Sequence, residues 1–535
     1  MGKTVLFFLT FIAISATVIV DLFKRANDGI PDVQKTQIRT LSLKGNFKAG
    51  ASALDITNQL TPLSPLPPAF EEEKALNPLL AGLEPENKAV NAKHPKFINR
   101  FYLKALACSN GKSLSALFAT DMPSLTPECL DSARGRLRKD FGIDGNFLVF
   151  FSSGLNLRLE IRPADFAAAA SQCLRLAMAN LQPVEMTVVK TAETAYPSCL
   201  RHVSLQGVGG FDLPAFSTLT RNDTLPAGVM ETLAGNLAVN SANRWLYTLT
   251  GDSTRFAAGS LRPAELLPQT TVLVAIRSLQ DRFLGGLVLA PYPPTATRTD
   301  YPEITSDYIA HLCAFLEKKY GGTFLFVRSP GTDILPILDN TSYSSAQRVG
   351  NRIGNALAMQ MKKAQWSPVH EAFFYTRPLA LSLKPWSNTS VPELRRLHER
   401  YYLQAHAVKG LDIDIAIKRD IQDKYLTAYY LYEYFSRGGK PLPSPLQAVR
   451  LGDHVLLLGL PGECMTETGA RLIGAPGKFD ILVADNCGGP LFPIVPLSQF
   501  DGGYACNQSI FAPAAEADLC KAAFDLVNAV QPYRP

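Results

Sequence analysis

From Phe47 to Val530 the chain alternates short apolar runs with longer amphipathic ones, and this alternation narrows its fold more than any other feature. Phe147 to Phe151, Val184 to Val189, Thr271 to Ile276, Gly286 to Ala290, Thr323 to Val327, Val455 to Leu460 and Phe479 to Ala484 have the length and composition of buried strands. Between them, Pro127 to Phe141, Ala164 to Leu181, Asp307 to Lys319, Ser344 to Ala364, Pro392 to Ala407, Ile421 to Phe435 and Ala514 to Val530 read as helices. Thr126 is placed to cap the first of these, with Pro127 at its first position. Gly350 and Gly354, inside a helical stretch, mark close helix packing. Ala49 to Thr57 reads as a strand, and Phe101 to Ala107 and Ser115 to Thr120 bracket the hairpin turn Ser109-Asn110-Gly111-Lys112. The expected fold is therefore α/β: a single large mixed-sheet domain with flanking helices, with no internal repeat and no linker dividing it.

Ahead of this body, Val5 to Val20 carries no charge. As a helix it would span about 24 Å, against about 30 Å for a bilayer core. Leu22 and Phe23 can extend it, and Lys24 and Arg25 can snorkel to the interface. Residues 1–25 are expected to form an uncleaved signal-anchor, a single transmembrane helix. A signal peptide removed on secretion is the alternative, though no Ala-x-Ala site follows the apolar run. The flanking charges leave its orientation open. Gly2 does not mark myristoylation, because position 6 is Leu. Residues 26–46 are polar and aperiodic and read as a tether, and the domain occupies 47–535. Leu60 to Pro68 is proline-rich, and Glu71 to Lys93 reads as a charged helical insertion.

Composition excludes some functions. With 53 basic and 47 acidic residues the net charge is +6, spread without long basic runs, so no nucleic-acid partner is expected. At 47% hydrophobic and 19% charged the body can bury a large core. None of the nine cysteines has CxxC spacing. Cys108 with Cys129 and Cys487 with Cys506 are the pairs closest in sequence if the domain is exported, and free buried cysteines are the alternative. Asn222, Asn340, Asn388 and Asn507 each open an Asn-x-Ser/Thr sequon, consistent with export. No GxSxG elbow, Walker loop or HExxH is present, and Gly207 to Phe211 reads as a turn. His94, His202, His311, His370, His398, His406 and His454 are scattered, and His398 and His406 lie too far apart for an i, i+4 metal pair. Asp412 and Asp414 alternate with apolar residues, as on the polar face of a strand or in a paired-carboxylate site.

Near the C-terminus the chain becomes more specific. Leu451-Gly452-Asp453, then Val455 to Leu460, then LPGECMTETGARL (Leu460 to Leu472) resembles the neutral/alkaline, non-lysosomal ceramidase family, N-terminal catalytic-type domain. FKAGASALDIT (Phe47 to Thr57) resembles its opening strand. GGTFLFVRSPGTDILP (Gly321 to Pro336) is similar to its nucleophile loop, and DGGYACNQSIFAP (Asp501 to Pro513) to its closing segment. The resemblance runs collinearly over about residues 44 to 535.

What the resemblance implies is a fold with its reaction centre removed. In that family two histidines, a glutamate and a tyrosine hold a zinc ion that polarises a lipid amide. Carried over by position, Glu463 is the sole surviving ligand-type residue and is expected not to be metal-bound. Ser152-Ser153-Gly154-Leu155 stands where Thr-His-Thr-His is expected, and Pro293-Pro294-Thr295 where His-Pro-Thr is expected. Leu335 replaces the nucleophilic serine, and NCGGPLFP (Asn486 to Pro493) the tyrosine-rich loop. Catalytic zinc normally needs three protein ligands, so no cofactor and no intact catalytic residue is expected. Asp333 is read as a vestigial, loop-shaping residue, and the family's C-terminal β-sandwich as absent. The leading expectation is a membrane-tethered pseudoenzyme that binds a lipid or protein partner, with its body on the exported side. One alternative is a hydrolase of lipid amides or esters using Asp333, Glu463, Ser152, Ser153 or Cys464. Another is a structural subunit of a membrane complex.

Overall fold

Each of the three large sheets has antiparallel strands at its centre and one edge strand running parallel to its neighbour. The computed structural model describes residues 38–62, 96–155, 159–191, 198–200, 202–205, 209–212, 270–297, 303–336, 342–384, 389–407, 421, 424–425, 428–429, 431–432, 435–436, 444–474, 479–488, 492–500, 505–506 and 509–530. The first sheet orders Lys48–Asp55, Tyr102–Ser109, Leu114–Thr120 and the parallel edge strand Leu148–Ser152. The second orders Ser367–Pro368, Val184–Lys190, Val272–Ser278, Phe283–Ala290 and the parallel edge strand Thr323–Arg328. The third orders Arg39–Lys44, Glu371–Leu379, Ser444–Leu451, Val455–Gly459 and the parallel edge strand Asp480–Ala484. Among the described residues the expected single mixed sheet is thus three large sheets, with five further two-stranded ones.

Side-chain alternation explains why the sheets pack face to face. Val149 and Phe151 share one apolar cluster with Leu325 and Val327 and with Leu457 and Leu482, one pair from each sheet. The intervening Phe150 and Phe118 stack at 4.8 Å on the opposite face of the first sheet, against Phe166. Phe166 lies on the helix Pro163–Ala179, which packs beside Pro127–Phe141. On the second sheet, Phe324 and Phe326 point outward to Ile309, Leu312 and Leu316 of the helix Asp307–Tyr320. A helix Tyr343–Met361 closes over that one. The helices therefore cover the outer faces while sheet meets sheet inside.

Local chemistry accounts for the element ends. Thr126 Oγ1 accepts from Cys129 N at 3.3 Å, and Gly142 ends the helix in the left-handed conformation. Asn110 Oδ1 accepts from the amides of Lys112 and Ser113 in the hairpin turn. Gly350 and Gly354 lie where Tyr343–Met361 meets Asp307–Tyr320. A β-carbon at Gly350 would come within 2.6 Å of the Tyr308 carbonyl oxygen, and one at Gly354 within 2.6 Å of Phe315.

The tether reading needs correction, and two strands were not foreseen. Arg39–Lys44, inside the stretch read as a tether, is a strand with Leu43 fully buried. Glu371–Leu379 and Ser444–Leu451 are strands the sequence did not announce. They carry Pro378 and Pro445, which lie opposite one another in the pairing so that both missing N–H groups fall at one rung. Of the two alternatives for Cys108, Cys129, Cys487 and Cys506, the structure shows free buried cysteines.

Val5 to Val20, Glu71 to Lys93, His94, Asp412, Asp414 and the four sequon asparagines lie outside the described residues. Among the described residues no helix is long and apolar enough to cross a membrane.

Candidate functional site

The carboxyl ends of the three parallel edge strands meet at one place, the kind of position at which α/β sheets bind ligands. Ser152 ends its strand in the first sheet, Arg328 ends its strand in the second, and Asp485 follows the Asp480–Ala484 strand of the third. Backbone bonds join the ends: Asp485 N donates to Arg328 O at 2.9 Å and Ser152 N to Asn486 O at 3.2 Å. Gly488 N donates to Phe150 O at 2.9 Å.

Glu463 reaches this junction from the Pro461-Gly462-Glu463 turn after Val455–Gly459. Asn486 N donates to Gly462 O at 2.8 Å, and Glu463 N to Phe492 O at 3.0 Å. The turn is therefore tied to the loop leaving the last strand. As a retained turn residue Glu463 would bond to local backbone, but its carboxylate turns to the second sheet. Arg328 Nη1 donates to Glu463 Oε1 at 3.2 Å, Arg328 Nε lies 3.6 Å from Asp485 Oδ2, and Nη2 donates to Thr332 Oγ1. Arg328 is 1% exposed and Asp485 fully buried.

Burial favours the neutral guanidine, but the Asp485 and Glu463 carboxylates overcome it and hold Arg328 more firmly protonated than an ordinary arginine. Burial pushes the Asp485 carboxyl up to about 7 against the pull of Arg328. Around this group Arg328 Nε, Ser152 Oγ, Asp485 Oδ1 and both side-chain polar atoms of Asn486 are buried without a hydrogen-bond partner among the described residues. Gly154, at φ +66°, passes over the guanidinium. A β-carbon there would lie 2.4 Å from Arg328 Nη1 and 2.7 Å from Asn486 Nδ2.

Asp333 sits beside this group with a different set of bonds. Its Oδ1 accepts from Thr466 N at 2.7 Å and from Thr466 Oγ1 at 2.6 Å, and its Oδ2 accepts from Gln499 Nε2 at 3.2 Å. It thus caps the helix Thr466–Ile473. Cys464 O accepts from Gly331 N and Thr332 N, which fixes the same loop. Burial raises the Asp333 carboxyl above its usual range, against those hydrogen bonds. It also holds the Cys464 thiol far above its usual range, unsuited to attack. Ser153 Oγ lies within 3.0 Å of the carbonyls of Asp121 and Met122, turned to the backbone.

The donors do not fit a zinc ion. The Glu463 and Asp485 carboxylates both face a guanidinium, and Ser153, Leu155 and Pro293, at the positions where histidines were expected, bring no imidazole. The proline loop is instead held by Asp307, whose carboxylate accepts from the amides of Ala296 and Thr297. Among the described residues no three His, Cys, Asp or Glu side chains are grouped to hold a metal. His311 packs edge-on against Tyr343, His398 is buried among tyrosines, and His370 and His454 are exposed. Arg328, Asp485 and Asn486 were not singled out from sequence. The available signal was a charged residue at the end of each of two apolar strands, TFLFVR and DILVA followed by Asp.

In fold the chain is similar to neutral ceramidase from Pseudomonas aeruginosa, at 12% identity and a TM-score of 0.57, over 92% of this chain and 76% of that one. A ceramidase complexed with C2 matches with the same identity, coverage and TM-score. No family model matches the chain, and no curated protein matches it in sequence. At this identity the likeness establishes a ceramidase-like mixed α/β fold.

Proposed function

We propose that this is a membrane-tethered domain of ceramidase-like fold that has lost zinc-dependent amide hydrolysis and acts by binding a lipid or protein partner. The carrying observation is the occupation of Glu463 by Arg328 at 3.2 Å. The sole ligand-type residue that the resemblance preserves is committed to a buried protein cation. Two candidate nucleophiles of the alternative hydrolase are poorly placed: Cys464 is buried with a raised thiol pKa, and Ser153 is bonded to backbone. The uncharged run Val5 to Val20 supports the tether, and the family resemblance favours a body on the exported side.

The test uses the full-length chain, recovered from the membrane fraction in mild detergent. Metal analysis and hydrolysis of a fluorescent ceramide are measured on the same preparation. The expected result is zinc well below one per chain and no turnover above a protein-free control. One zinc per chain together with ceramide hydrolysis would refute the proposal.

A further inference from the structure

We infer that the Arg328 guanidinium is the resident cation of the strand-end site, performing between Glu463 and Asp485 the charge-compensating task of a bound metal ion. The inference rests on the reading of the domain as free of zinc, and deepens it by naming what stands in the metal's stead.

Two carboxylates meet here, one fully buried and one with 18% of its side chain exposed. In a low-dielectric interior such a pair repels and cannot stay ionised without a compensating charge. Among the described residues, both are ion-paired to Arg328 and to no other basic side chain. Its three nitrogens face three different oxygen groups: Nη1 faces Glu463, Nη2 faces Thr332, and Nε faces Asp485. These acceptors come from separate segments, as the protein ligands of a metal ion commonly do. Gly154 leaves the volume of the guanidinium free by lacking a β-carbon. The side chain thus holds the ends of two sheets and the Pro-Gly-Glu turn through one charge, and a divalent ion arriving from solution meets carboxylates already paired to a guanidinium that fills the space between them.

Removing the guanidinium should expose a latent cation site. Arg328→Ala leaves the Glu463 and Asp485 carboxylates, the Thr332 hydroxyl and the unpartnered Asn486 side chain around a cavity shaped for a guanidinium ion. Such oxygen donors suit a hard divalent ion such as Mn²⁺. Thermal unfolding of the full-length wild type and of Arg328→Ala is followed with low-millimolar guanidinium chloride, Mn²⁺, or urea as the neutral isostere. The variant is expected to melt roughly 3–5 °C lower than wild type. Guanidinium or Mn²⁺ should recover at least half of that loss, whereas urea should recover none and the wild type should not respond.

Equal behaviour of guanidinium, Mn²⁺ and urea on the variant would overturn the inference, since Arg328 would then act by packing alone. If Arg328→Ala does not fold, the charge-free combination of Arg328→Met, Glu463→Gln and Asp485→Asn decides. Recovery of folded protein supports charge compensation, and equal failure overturns it. Stoichiometric zinc with turnover in the wild type would refute the zinc-free reading however the variant behaves. A zinc-free wild type whose variant shows no ion-specific rescue would refute the resident cation alone.

Discussion

Buried carboxylates in this chain differ by what faces them. Asp333 receives two bonds from Thr466 and one from Gln499, and Asp307 receives the amides of a loop. Asp121 is buried beside Lys104, and its Oδ2 accepts from Tyr102 N at 2.9 Å. Burial pushes the Asp121 carboxyl up to about 6, against the pull of the Lys104 ammonium. Its folded pKa therefore lies above its unfolded one, and the folded protein holds an extra proton between about pH 4 and 6. The stability contributed by that proton is fully present below the unfolded pKa and is lost as pH rises through 6. Compared with Asp121→Asn, the wild type should gain roughly 2–3 °C in melting temperature as pH falls from 7 to 4. A gap between the two that stays constant with pH would contradict this account of Asp121.

Helices and strands answer to shorter-range rules, which is why many of them could be read from the sequence. Thr126, Pro127 and Gly142 mark both ends of Pro127–Phe141 within a few residues of chain, and Asn110-Gly111 fixes a hairpin. Glu371–Leu379 and Ser444–Leu451 escaped because their signal is shared. Each proline looks like a breaker alone, and the pairing that places Pro378 opposite Pro445 is not visible in either strand. Gly350 was legible as a packing position, and the contact gives it a measurable consequence. An alanine there gains about 1 kcal/mol of helix propensity. Its β-carbon would fall 2.6 Å from Tyr308 O and 2.8 Å from Leu312 N, so the two helix backbones must separate. Gly350→Ala is expected to be destabilising by about 1–3 kcal/mol in denaturant unfolding. A neutral or stabilising result would mean that the helices can slide apart freely.

At the scale of the molecule, three sheets with the same edge arrangement place three strand ends at one point. Sequence order alone could not supply this convergence. Arg328, Glu463 and Asp485 each end or follow an apolar strand, and nothing local ties one to another. The family resemblance supplied Glu463 and Asp333 because those residues sit in recognisable turns. It could not supply Arg328, whose role depends on a residue 135 positions away. Gly154, within the stretch that stands where Thr-His-Thr-His was sought, makes room for the guanidinium by having no side chain. On this account the fold keeps a charged centre while the charge has become part of the polypeptide. Crystals of the full-length chain grown with zinc, measured at the zinc absorption edge, test this most directly. The account predicts no anomalous peak within bonding distance of Glu463, and the Arg328 guanidinium between Glu463 and Asp485. A zinc peak bonded to Glu463, with Arg328 turned away, would contradict it.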